Sequence, residues 1–110
     1  MAASSSSGMS NEQIVARFNE MRQQVSSLTA KIADLEGDCQ EHTLVINTLE
    51  PMGKERQCYR MIGDVLVERT VGEALPAVTR NRDNLQQAID QLSKQRETTV
   101  KELSAFQVGG

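Results

Sequence analysis

From Ile14 onward, apolar side chains recur at steps of four and three without a break: Ile14, Phe18, Met21, Val25, Leu28, Ile32, Leu35, Cys39, then the polar His42, then Ile46 and Leu49. This is a heptad repeat. One seam position holds Phe18, Val25, Ile32, Cys39 and Ile46, and the other holds Met21, Leu28, Leu35, His42 and Leu49. A lone amphipathic helix drifts toward a period of 3.6, so a sustained 3.5 period predicts a helix over 11–50 that supercoils against a partner helix. Ser10 is placed to cap it, and the Ser-rich stretch 1–10 reads as a disordered lead-in because it has almost nothing to bury. Glu50-Pro51-Met52-Gly53 stops the helix, since proline disfavours helical geometry in the residue before it.

The period then shortens to that of a strand. Cys58-Tyr59-Arg60-Met61-Ile62 and Val65-Leu66-Val67-Glu68-Arg69 flank Gly63-Asp64, and glycine at the first central position is what a two-residue type II′ turn requires. The pattern predicts a hairpin over 57–69 that pairs Ile62 with Val65, Met61 with Leu66, Arg60 with Val67 and Tyr59 with Glu68. Both faces near the turn are then apolar. A two-stranded hairpin is marginal in water, so its missing cover has to come from neighbouring chains. Thr70-Val71-Gly72-Glu73 fits a capping box that opens a second helix over 71–107, with an interruption expected near Pro76.

A weaker series runs through Leu75, Val78, Arg82, Leu85, Ile89, Leu92, Arg96, Thr99, Leu103 and Phe106, and residues 108–110 read as a flexible end. The hairpin sends this helix back along the first. Antiparallel pairing within the chain sets Leu49 near Val78 and Met21 near Phe106, and gathers Ile14, Phe18, Met21, Leu103 and Phe106 at the free end of the pair. Two readings of that end stand side by side: these residues close the coil, or they offer an adaptable apolar surface to another polypeptide.

Composition narrows the chemistry. The chain has 110 residues, with two Phe, one Tyr and no Trp, too few bulky groups for a thick self-contained core. A net charge of -3 leaves no electrostatic footprint for nucleic acid. No window approaches the apolar length of a membrane span, no signal-peptide pattern follows Met1, and Cys39 and Cys58 read as free thiols of a soluble protein in a reducing compartment. His42, the single histidine, sits on a heptad seam, where packing or register-setting competes with a ligand or general-base role. With Cys39 it would supply two metal ligands where zinc usually takes four, so neither a metal nor a cofactor is expected. Seven acidic and three basic residues between Glu12 and Glu50 read as a solvated helix face or as a docking surface for a basic partner. No nucleophile, base or metal set supports an enzyme.

The order helix, hairpin, helix, with Glu41-His42-Thr43-Leu44-Val45-Ile46-Asn47-Thr48-Leu49 and the run from Cys58 to Val71, resembles beta-type subunits of the prefoldin family over residues 11–106. The second segment is the specific one, because it is a hairpin sequence and not a generic periodic pattern.

That resemblance implies a mostly α fold: a long antiparallel two-helix coiled coil joined by a single β-hairpin that completes an oligomeric β-barrel. The seam would comprise Val25, Leu28, Ile32, Leu35, His42, Ile46 and Leu49 against Leu85, Ile89 and Leu92, and the assembly hairpin Tyr59, Met61, Ile62, Gly63, Val65, Leu66 and Val67. Ile14, Phe18, Met21, Leu103 and Phe106 would contribute to contact with clients. The family forms a heterohexamer, so the implied partners are two alpha-type and three further beta-type subunits. The implied activity is ATP-independent holding of unfolded actin and tubulin for transfer to the cytosolic chaperonin, with a further link to a nuclear and cytoplasmic prefoldin-like co-chaperone assembly. The competing reading is a coiled-coil scaffold or adaptor without client-holding activity.

Overall fold

The computed structural model describes residues 10–109, with side chains through 106; the lead-in at 1–9 and Gly110 lie outside the described residues. Four elements follow in order: α1 (Asn11–Leu49), β1 (Gln57–Ile62), β2 (Val65–Thr70) and α2 (Val71–Gly109). The chain divides into two compact units, one made of residues 1–32 and 91–110 and the other of 33–90.

α1 begins where its cap allows. The Gln13 N–H donates to Ser10 Oγ at 3.1 Å, and the Ser10 N–H donates to Gln13 Oε1 at 2.8 Å, which satisfies two otherwise orphaned donors reciprocally. In the first unit the helices run antiparallel, with Arg17 of α1 beside Glu102 of α2 at 3.8 Å and Thr29 accepting from Arg96 at 3.5 Å. The seam is legible in exposure: Met21 and Ile32 are buried, Val25, Leu28, Leu92 and Leu103 are half-buried, and Thr99 is buried with its hydroxyl donating to the Gln95 carbonyl at 3.0 Å. The ion pairs on this unit join exposed side chains and contribute little to stability.

In the second unit α1 and α2 are again antiparallel, with Cys39 Sγ donating to Gln86 Oε1 at 3.8 Å and Leu49 and Val78 lining one cavity, as the pairing arithmetic expects. Ile46, Val71, Ala74 and Ile89 form its buried apolar set, with Leu35, His42, Leu49 and Leu85 half-buried around them. His42 is held on the seam by a 2.7 Å contact between its Nδ1 and the Asp38 carbonyl. Cys39 and Cys58 are free. Among the described residues no helix is long and apolar enough to cross a membrane.

The second helix corrects the expected break near Pro76. α2 runs unbroken from Val71 to Gly109 with Pro76 inside it, so it also extends past the expected end at 107. An internal proline forfeits the hydrogen bond to the carbonyl four residues back. Here the first turn is held from outside the helix: the Val71 N–H donates to the Arg56 carbonyl and the Gly72 N–H to the Lys54 carbonyl, both at 2.9 Å, while Val71 and Ala74 are buried.

Candidate functional site

The hairpin is built by its turn. Gly63 has φ of 61° and Asp64 stays out of the left-handed region, the combination of a type II′ turn. The register follows: Ile62 pairs with Val65, Met61 with Leu66, Arg60 with Val67 and Tyr59 with Glu68. Because side chains alternate, Ile62, Val65, Arg60 and Val67 share one face, and Tyr59, Met61, Leu66 and Glu68 share the other.

Neither face is covered near the turn. Tyr59, Met61, Ile62, Val65 and Leu66 are between 48% and 62% exposed, while Val67 is half-buried. Five large apolar side chains on a ribbon of two six-residue strands form an exposed patch of the kind that marks an interaction surface.

The base of the ribbon is anchored. Glu73 Oε1 accepts from the Thr70 hydroxyl at 3.0 Å and from the Thr70 N–H at 3.2 Å. The hydroxyl donates to the carboxylate, so the capping box takes a variant form. These bonds, the hydroxyl's first, hold the Glu73 carboxyl below the usual glutamate range, and the Arg69 guanidinium adds to them.

The residues expected at the free end of the helix pair all fall in the first unit, but they do not share one environment. Ile14 is exposed, and Phe18, Leu103 and Phe106 are half-buried. The Arg22 guanidinium lies 5.9 Å from the centroid of the Phe18 ring, a cation–π contact on the protein surface. Met21 departs from the expectation that it lends a soft, accessible surface: it is 1% exposed and is a core side chain of the helix pair. Its seam position sets it against the facing helix, and its unbranched thioether fills the space there.

Val15, Leu44, Val45 and Val100 are exposed apolar residues that heptad reasoning passes over. Each lies outside the four-three series, so the available signal was an excess of apolar residues over what a two-helix seam can bury. Val45 lines a cavity of about 350 Å³ in the second unit between α1, α2 and β1. Among the described residues no group of three or more His, Cys, Asp or Glu side chains could hold a metal ion.

Comparison with known proteins agrees with this architecture. A family model described as "Prefoldin subunit" matches residues 12–109. The chain is 48% identical over 98 residues to prefoldin subunit 2 of Rattus norvegicus, covering 89% of this chain and 64% of that protein. It is 44% identical over 112 residues to prefoldin subunit 2 of Arabidopsis thaliana, covering 97% of this chain and 76% of that one. The crystal structure of the prefoldin beta subunit from Thermococcus strain KS-1 superposes with a TM-score of 0.82 at 13% identity, covering 89% of this chain and 86% of that one.

Proposed function

Since this chain belongs to the prefoldin family, as a beta-type chain of the subunit 2 kind, we propose that it is an ATP-independent holdase subunit of a prefoldin heterohexamer. Two alpha-type and three further beta-type subunits complete the assembly. Their hairpins join this one in a β-barrel platform, and the paired helices grip non-native polypeptides of the actin and tubulin class before transfer to the cytosolic chaperonin. The work is cytoplasmic, and the same subunit serves a nuclear and cytoplasmic prefoldin-like co-chaperone assembly.

The observation that carries this reading is the hairpin. Its apolar side chains are exposed on both faces, although its turn, register and base are all specified. Water is a poor environment for Met61, Ile62, Val65 and Leu66, and strands from other subunits bury them. Client holding then needs no cofactor. Several helical ends on one platform each offer a modest contact from residues such as Ile14, Val15, Phe18 and Phe106, and linking them raises the effective concentration so that weak contacts hold together. Small contacts also release readily, which suits transfer.

The test is co-expression of the full chain with an alpha-type prefoldin subunit, followed by native mass measurement. A six-subunit mass that includes this chain is expected. An elongated homodimer that ignores the alpha-type subunit would overturn the reading in favour of a coiled-coil scaffold.

A further inference from the structure

A groove of about 800 Å³ runs along the helix pair of the second unit, and no residue of the hairpin lines it. Its α1 wall is Ala33, Glu36, Gly37, Gln40, Thr43 and Leu44, spaced so that they share one helix face beside the heptad seam. Cys39 of α1 and Gln86 and Ile89 of α2 form the rest. Most of the polar groups there are already satisfied. The Thr43 hydroxyl donates to the Cys39 carbonyl at 2.9 Å, Cys39 Sγ to Gln86 Oε1 at 3.8 Å, and Gln86 Nε2 to Asp90 Oδ1 at 3.1 Å.

What the groove still offers is apolar surface and negative charge. Leu44 is 66% exposed, more than any other large apolar side chain among the described residues. A Cβ added at Gly37 would meet no atom within 4 Å, so the ground beside Leu44 is open. Glycine inside a helix is less favourable than alanine, and no neighbour within the chain needs the space. Between Lys31 and Lys54 the sequence has no Lys or Arg but carries Asp34, Glu36, Asp38, Glu41 and Glu50. Glu36 lines the groove, and Asp90 stands one hydrogen bond beyond Gln86. Among the described residues none of these six carboxylates makes an ion pair. Asp38 and Glu41 line neighbouring cavities and add only to the field. Arg80 and Arg82 of α2 do not line the groove, and Arg82 is engaged with Asp83.

We infer that this groove docks a basic amphipathic helix of a partner protein. The helix lies along α1 with apolar side chains on Leu44, Ile89 and the open ground at Gly37, and lysines or arginines beside Glu36 and Asp90. The walls are helical, so their backbone groups are paired internally and a strand would find nothing to join. From Ala33 to Leu44 the wall is about 16 Å long, three turns of a helix. Charge selects the occupant further: a second copy of this chain carries a net charge of -3 and brings the same acidic stretch, whereas a basic helix is drawn in. The hairpin takes no part, so this interface goes beyond the assembly reading and does not depend on it.

The probe is a lactam-stapled helical peptide of about 15 residues with leucine along one face and lysine beside it, compared with a twin that has glutamate for lysine. Titrated into the isotope-labelled full chain at low ionic strength, the lysine peptide is expected to shift the Ala33, Gly37, Gln40 and Leu44 amide resonances, and the glutamate peptide none. Gly37→Leu fills the open ground and favours the helix, so the thermal midpoint should rise while affinity for the lysine peptide falls about tenfold or more. Leu44→Ser, which removes the apolar contact, and Glu36→Lys, which reverses the charge, should each weaken binding about tenfold with helicity unchanged. The six-subunit complex should bind the peptide as the free chain does. Failure of the lysine peptide to bind, equal binding of both peptides, or full affinity in Gly37→Leu and Leu44→Ser overturns the inference. So do shifts confined to residues 11–32 and 91–106, which make the peptide a client of the helical ends, or loss of binding in the complex, which makes a neighbouring subunit the occupant.

Discussion

Replacing Ile62 by Asp separates what the hairpin does alone from what it does in company. In the free chain Ile62 is 48% exposed, beside the turn and opposite Val65, which is 62% exposed. The substitution there loses one cross-strand apolar pair, worth about 0.2–1 kcal/mol, and some strand propensity, within a scale of about 1 kcal/mol. The helices do not depend on it, so far-ultraviolet circular dichroism and thermal midpoint should barely move. If the hairpin is an assembly surface, as proposed, the exposed half of Ile62 becomes buried there. Full burial of an isoleucine is worth about 1.5–3 kcal/mol, so the remaining half contributes about 0.7–1.5 kcal/mol. A carboxylate in its place is an uncompensated buried charge and costs a further 3–5 kcal/mol or so. The sum, about 4–6 kcal/mol, is a loss of about three to four orders of magnitude in association. Ile62→Thr, which keeps β-branching without a charge, should lose only about tenfold. The assay is size exclusion with native mass detection after co-expression with alpha-type subunits. Ile62→Asp eluting as the hexamer at the wild-type yield would refute the argument that the exposed ribbon is an assembly surface.

Other consequences follow from the same structure. Met21→Ala empties a fully buried seam position and should cost about 2–5 kcal/mol, slightly offset by alanine's helix propensity; thermal melts would show a lower midpoint, and an unchanged one would mean that Met21 is not core. Phe18→Ser combined with Phe106→Ser should leave the six-subunit mass intact and weaken suppression of client aggregation; unchanged aggregation kinetics would assign both rings to closing the helix pair. Glu73 has its folded pKa lowered chiefly by the Thr70 hydroxyl and N–H, so its stabilisation is present above the usual glutamate range and is lost as pH falls through the lower folded value. Amide exchange at Thr70 should quicken over that window, and Glu73→Gln, which keeps an acceptor without a titrating charge, should flatten the profile; an identical profile in the variant would place the titration elsewhere.

What the amino-acid order determined by itself is whatever depends on near neighbours along the chain. The four-three spacing from Phe18 to Leu49 named a seam that the structure finds buried or half-buried throughout, because periodicity sets which side chains share a helix face. Gly63 ahead of Asp64 specified the turn, and the turn specified the register, because only a residue without a Cβ takes that backbone angle at little cost. Ser10 with Gln13 capped α1 for the same local reason. The tertiary structure decided what depends on segments distant in sequence. Pro76 stays inside α2 because carbonyls of Lys54 and Arg56 and the burial of Val71 and Ala74 hold the preceding turn. Met21 is core while Ile14 is exposed, although both continue one series, because coverage depends on what the facing helix presents. The cavity beside β1 exists only once α1, α2 and the strand come together, and no spacing within any one of them encodes the gap between them.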